Sequence, residues 1–390
     1  MSVYLDHAAT TPVRPQAIEV FLQNLGLIGN PSSVHGAGQK ARQAVEEARE
    51  LLAENVGAHR SEIIFTAGGT ESNNLAIKGL YLGALAKDAN RKVVITAGTE
   101  HHAVIEPVEH LEEHEGAEVV LARVSEQGEL DLDWLGQYLS ENGSRVALIS
   151  LMWANNETGV IWPIDQVVQL AKPHGIAVHS DAVAAFGHMP LNFSASGLTA
   201  MSISGHKIGA PVGVGALVLA RDAKLAVTSH GGGQERGVRS GTLSASLITA
   251  FATAAAIAVA ELETETARLS RLADKLIAAV LQTAPDAEFS RGSSAGLPGT
   301  VHFLFAGCSG DSILFLLDGA GVAVSTGSAC RAGVAQASHV LMAMGRTESQ
   351  ARGSVRISLG YSTSEADVDA FIAAFPPAYA AAKKAGLPSN

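Results

Sequence analysis

The sequence predicts an α/β protein built on a mainly parallel sheet, with a smaller α/β layer beginning after about residue 260. Three observations predict it. Short β-branched runs at 62–66, 92–96, 118–122, 145–151, 176–180, 200–204 and 215–220 alternate with amphipathic or turn-rich stretches, as repeated βαβ units do. A hydrophobic content of 47% with only 5% aromatic residues suits an Ala/Val/Leu-rich core over 390 residues, enough for a large unit plus a smaller one. Beyond residue 260, Leu269, Leu272, Ala273, Leu276, Ile277 and Val280 share one helix face and precede the strand-like Thr300–Phe305, which opens the second layer.

Along the chain, the first strong helix signal starts at residue 37. Ala41, Ala44, Val45, Ala48, Leu51, Leu52 and Val56 recur at helical spacing, and Gly57 follows where a C-cap belongs. Next, the strand-like Glu62–Thr66 runs into Ala67-Gly-Gly-Thr-Glu-Ser72 and helix-like Asn73–Lys78. A glycine-rich turn from strand to helix directs free backbone N–H groups outward at the positive end of the helix dipole, which is a site for phosphate. The turn lacks the Gly-Lys-Ser/Thr of a P-loop and the full dinucleotide pattern, so a single phosphate ester fits better than a nucleotide. Leu243 to Ala260 carries no charge, but its Ala, Ser and Thr content makes a poor membrane span and a good buried helix. The last helix starts at Ser364-Glu-Ala-Asp367, a capping-box pattern, with Val368, Phe371, Ile372 and Phe375 on its inner face.

Bulk properties exclude several function classes. A net charge of −11 provides no electrostatic footprint for nucleic acid. Two cysteines, Cys308 and Cys330, are too few for a disulfide framework and lack zinc-site spacing, which points to a reducing cytoplasm. The first residues carry no signal-peptide pattern, and neither a repeat nor a low-complexity segment is evident.

The chemistry is carried first by two residues at strand ends, Asp181 in Ile176-Ala-Val-His-Ser-Asp181 and Lys207 in Ala200-Met-Ser-Ile-Ser-Gly-His-Lys207. Each alone is weak, as a helix cap or a solvated loop lysine would look the same. With the phosphate turn upstream they form the set that pyridoxal 5'-phosphate (PLP) needs: a lysine to hold the aldehyde and a carboxylate to keep the pyridine nitrogen protonated.

Over essentially its whole length the chain resembles the cysteine desulfurases of the class V aminotransferase group, the NifS/IscS-like enzymes. The matching segments are Tyr4-Leu-Asp-His-Ala-Ala-Thr-Thr-Pro12, Gly29-Asn-Pro-Ser-Ser33, Phe65-Thr-Ala-Gly-Gly-Thr-Glu-Ser72, Thr99-Glu-His101, Asn155-Asn-Glu-Thr-Gly159, Ser204-Gly-His-Lys207, His230-Gly-Gly-Gly-Gln-Glu-Arg236, Arg239-Ser-Gly-Thr242, Ser325-Thr-Gly-Ser-Ala-Cys330 and Arg356-Ile-Ser-Leu-Gly360. So many ordered matches are specific where any one would not be. The resemblance implies PLP fold type I, with residues 12–260 as the large cofactor-binding domain, and 1–11 with 261–390 as the small domain carrying the cysteine loop. It implies Lys207 as the lysine that bonds the cofactor, Asp181 as the pyridine partner, and Gly69, Thr70, Ser204 and His206 as the phosphate holders. Thr242 would reach the phosphate of a neighbouring subunit in a homodimer. His101 would stack on the ring and transfer protons, Asn156 would touch cofactor and substrate while Asn155 is structural, and Arg356 would bind the substrate carboxylate.

Cys330 decides the reaction. It sits among small residues without apolar periodicity, as a loop nucleophile would, with Arg331 or the cofactor environment to favour the thiolate; Cys308 follows a strand and reads as structural. The implied activity converts L-cysteine to L-alanine and leaves the sulfur on Cys330 as a persulfide. An acceptor protein would then take it, in iron–sulfur cluster assembly, tRNA thiolation or both. Neither the acceptor, the discrimination of cysteine from selenocysteine, nor a transient role of Cys330 as an iron–sulfur ligand is fixed by the sequence. A PLP aminotransferase, a selenocysteine lyase and a non-catalytic scaffold are the alternatives. No resident metal is expected: His110-Leu-Glu-Glu-His114 matches a zinc-peptidase pattern, yet its acid-rich surroundings read as a solvated helix face. One position departs from the family, Ala184, where many relatives place a glutamine against the cofactor's phenolic oxygen.

Overall fold

In the computed structural model, residues 3–327 and 337–386 are described. Cys330 and Arg331 lie outside them. The chain opens with the short strand β1 (Val3–Tyr4) and two helices, α1 (Pro15–Leu25) and α2 (Gly36–Val56). Proline at the start of α1 loses no helical hydrogen bond there. Helix α2 ends where expected, at Gly57, whose φ of 65° suits the left-handed cap that glycine adopts without strain.

The central sheet has seven strands in the order β2-β8-β7-β6-β5-β3-β4. They are β2 (Ile63–Thr66), β3 (Val93–Thr96), β4 (Glu118–Leu121), β5 (Val146–Ser150), β6 (Ala177–Asp181), β7 (Ala200–Ser204) and β8 (Gly215–Leu219). Strands β3 to β7 pair in parallel; β8 runs antiparallel between β2 and β7. The strand expected from residue 62 begins at Ile63 because Arg60–Glu62 coil into a 3-10 turn, closed by Glu62 accepting the His59 N–H at 2.8 Å.

Alternation along the strands explains why both sheet faces are dry. Ile63, Phe65, Val93 and Ile95 enter a core shared with α2 and the helix Ala245–Ala260, whereas Ile64 and Val94 point the other way, into a core shared with α3 (Gly69–Lys87) and α4 (His102–Glu115). The charge-free stretch is thus a packed helix carrying buried Ile248, Phe251 and Ala255. Among the described residues no single helix is long and apolar enough to cross a membrane.

The remaining strands are β9 (Glu288–Phe289), β10 (Thr300–Leu304), β11 (Val322–Ala323) and β12 (Ser354–Ser358). β12, β10 and β9 form an antiparallel sheet, and β11 pairs in parallel with β1 at the other end of the sequence. Leu269, Leu272, Leu276, Phe303, Phe371 and Phe375 build the core here, joined by Leu5. The last helix, Glu365–Ala385, starts with the expected capping box of Ser364 and Asp367.

Candidate active site

Strands β2, β3, β5, β6 and β7 deliver their carboxyl ends to one edge of the central sheet, where open α/β sheets place their ligands. A cavity of about 300 Å³ lies there, within the range of small-molecule sites. Gly69, Thr70, His101, Asn156, Asp181, Ser204, His206 and Lys207 all line it. Residues far apart in sequence therefore meet because all lie at or beyond the carboxyl ends of these strands, in the segments that leave the sheet there.

At the end of β6, buried Asp181 accepts on both oxygens, from Asn73 Nδ2 at 2.6 Å and the Val183 N–H at 2.9 Å. After β7 one 3-10 turn, Gly205–Lys207, brings the lysine round to the cavity. Its Nζ donates to the carbonyls of Ala8 and Ala9 at 2.6 and 2.8 Å. Burial, then the Arg356 charge, lowers the Lys207 pKa to about 8 against the pull of Asp6 and Asp181.

The turn after β2 caps α3 with Gly68, whose φ is 155°. A Cβ on Gly69 would come within 2.6 Å of Val183 Cγ2, so this backbone must be bare to approach so closely. His101 caps α4, its Nδ1 accepting the Ala103 N–H at 3.0 Å, which leaves the proton on Nε2. Burial lowers its pKa, Asp181 opposing and Lys207 assisting. His206 Nδ1 lies 3.2 Å from Thr10 Oγ1, and burial with the Lys207 charge lowers its pKa to about 4.

Two expected site residues stand apart from this cavity wall. Arg356, on β12 with 4% exposure, sends Nη1 to the Asn156 carbonyl at 2.9 Å and Nη2 to Asp6 Oδ1 at 2.8 Å, while Nε has no partner among the described residues. Thr242 is exposed and does not line the cavity of its own chain. Asn155 does not line the cavity; it bonds the Thr99 carbonyl and the N–H groups of Glu157 and Thr158. Cys308 is fully buried in the second core, and burial pushes its thiol pKa up. His110 and His114 meet on α4 with ring centroids 4.7 Å apart, and no third ligand joins them among the described residues.

Residue-type reasoning passed over Asn73, Glu100 and the Ala8–Ala9 carbonyls. Asn73 stands four residues after Gly69 on α3 and so shares its helix face, a spacing that could have exposed it. The polar set fits PLP. Lysine and aspartate share one cavity with a bare glycine turn at a helix N-terminus, where a Cβ on Gly69 would fill the cradle.

Comparison with known proteins agrees with this geometry. The aminotransferase class-V family model matches residues 3–371. An IscS-like cysteine desulfurase of Mycobacterium tuberculosis is 50% identical over 385 residues, covering 98% of each chain. The cysteine desulfurase NifS of Azotobacter vinelandii is 40% identical over 96% of this chain and 92% of its own. Among solved structures, a NifS-like protein from Rickettsia africae superposes with a TM-score of 0.87 at 32% identity, covering 97% of this chain and 100% of that one. By sequence, fold and cavity alike, the chain belongs to the class-V aminotransferase family, among the IscS- and NifS-like cysteine desulfurases.

Proposed function

We propose that this enzyme is a PLP-dependent cysteine desulfurase that converts L-cysteine to L-alanine and leaves the sulfur on Cys330 as a persulfide. The observation that carries the reading is the meeting of Lys207 and Asp181 on one cavity wall with the Gly69 turn and His101. When bound, the cofactor supplies an aldehyde for the lysine and a pyridine ring that stores the electrons of a substrate carbanion. Gly69, Thr70, Ser204 and His206 would hold its phosphate, and Asp181 would serve its ring nitrogen.

Lys207, with its amine pKa lowered to about 8, releases and takes up a proton near neutral pH, which suits it to move the substrate's Cα proton. His101 presents Nε2–H, its other nitrogen being occupied by the helix cap. Arg356 binds the substrate carboxylate, held in place by the Asn156 carbonyl and Asp6. The atoms balance: cysteine gives its sulfur atom to the Cys330 thiol and departs as alanine.

The enzyme acts as a cytoplasmic homodimer with residues 12–260 holding the cofactor and 1–11 with 261–390 forming the smaller unit. Leu22 at 60%, Ile28 at 85% and Val34 at 84% exposure support a covered interface, across which Thr242 reaches the partner's phosphate site. The persulfide passes to an acceptor protein of iron–sulfur assembly or tRNA thiolation. Incubation of the purified protein with PLP and L-cysteine should release alanine in step with protein persulfide, and borohydride should fix the cofactor on Lys207. A protein that stays colourless with added PLP would end this reading.

A further inference from the structure

One carboxyl group on the cavity wall takes no part in the reaction above. Glu100 lies between β3 and α4, is fully buried and lines the cavity. Its Oε1 accepts the Met152 N–H at 2.6 Å, but the buried Oε2 meets no donor among the described residues. Asn73, also fully buried and on the same wall, has the same deficit. Its Nδ2 serves Asp181, and its Oδ1 meets no donor. Among the described residues, two buried acceptors on one cavity each lack a donor.

We propose that Glu100 is a neutral carboxylic acid whose Oε2–H donates to Asn73 Oδ1, fixing the Asn73 amide with its N–H on Asp181. A fully buried carboxylate with a single amide donor is costly, and the group escapes that cost by keeping its proton. The amide direction matters because oxygen and nitrogen of an asparagine have nearly the same shape. Reversed, Asn73 would set an acceptor against Asp181 Oδ2, and the aspartate would have to carry a proton itself. Glu100 is therefore a positioning residue: its proton, passed as a hydrogen bond through Asn73, leaves Asp181 free to accept from a ring nitrogen. Only that last consequence rests on the function proposed above.

Burial is the main force raising the Glu100 pKa, with the like charge of Asp181 adding to it and the Met152 N–H opposing. The other titratable groups around it are His101 and His102 at the head of α4, His339, whose Nε2 lies 2.8 Å from the Glu100 carbonyl, and Lys207 across the cavity. All are present in both wild type and Glu100→Gln, so their own titrations cancel in a difference.

The test is the denaturant stability of full-length holoenzyme, wild type against Glu100→Gln, across pH 5 to 8. An acid whose folded pKa lies above its unfolded value of about 4.3 contributes full stability below that value and loses it as pH rises. Wild type should fall behind the glutamine variant by about tenfold in folding constant per pH unit until the raised folded pKa is reached. A difference that stays flat with pH overturns the proposal. Should the variant fail to fold, an atomic-resolution structure of wild-type holoenzyme at neutral pH decides. Unequal C–O bonds in Glu100 with Oε2 on Asn73 Oδ1 support the proposal; equal bonds, or Oε2 on another donor, overturn it. An enzyme that binds PLP yet releases no alanine would fail the proposed function and leave this test intact.

Discussion

Lys207 donates to two carbonyls, and its environment holds its pKa near 8, far below that of a solvated lysine. Only the free amine attacks an aldehyde. The rate at which cofactor-free enzyme takes up PLP, followed by the visible band, should therefore rise about tenfold per pH unit below that value and level off above it. A pH-independent rate would show that Lys207 is already neutral. The two thiols are told apart by mutation. Cys330→Ala should bind PLP and yet form almost no persulfide, while Cys308→Ala, in a packed core, should keep sulfur release and lose roughly 1–2 kcal/mol of stability. Reversed behaviour would reassign the nucleophile. Ala184 lines the main cavity and a neighbouring space of about 30 Å³ beside His188, about one water molecule's volume. Ala184→Gln should move the visible titration of the bound cofactor downward by about a unit, because a donor to the phenolic oxygen stabilises its anion. An unchanged titration would mean that a neighbouring group already supplies the bond.

The segment from β2 through the glycine turn to α3 is held more firmly than its sequence suggests. Glu71 Oε2 accepts the Ala67 N–H at 2.5 Å, and its Oε1 accepts from Arg239 Nε at 2.9 Å, tying the turn to the stretch that carries Thr242. Behind it, buried Glu235 takes both Arg49 amino groups at 2.7 and 2.8 Å and the Phe65 N–H at 2.6 Å. With Val183 already against it, Gly69→Ala must displace that side chain or the turn. We expect a loss of about 1–3 kcal/mol in PLP affinity, the usual cost of overpacking, read by cofactor titration, with folding otherwise kept. Unchanged affinity would remove the turn from the cofactor site. The glycine pattern was legible because positive φ and close approach are demands on the residue itself. Glu235, Asn73 and Glu100 were not, since a buried polar side chain gets its meaning from partners that only the fold brings near. The Thr99-Glu-His101 triplet drew attention to its histidine, while the glutamate in the middle is the residue whose Oε2 meets no donor among the described residues.

On the scale of the molecule, parallel strands and their core faces followed from apolar runs and alternation, but the pairing of β1 with β11 had no local signature. Two-residue strands carry no period. Helix α1 sets Ile18, Leu22 and Leu25 on one exposed stripe, continued by Ile28, an apolar patch that a monomer leaves wet. The double variant Leu22→Glu with Leu25→Glu should sediment as a monomer and hold PLP more weakly, since Thr242 would lose its partner site. A variant that remains dimeric would move the interface elsewhere.

The pairing of Val3 with Val322 also has a temporal meaning. During synthesis the first strand leaves the ribosome long before its partner exists, and at the usual pace of about 5–20 residues per second the wait is on the order of tens of seconds. Throughout that interval Leu5 has no core to enter, and Asp6 has no Arg356 to meet. The Ala8 and Ala9 carbonyls that hold Lys207 belong to the same waiting segment. The nascent chain can therefore complete the central sheet and its glycine turn early, but the lysine's full setting is assembled only when the far end of the polypeptide arrives.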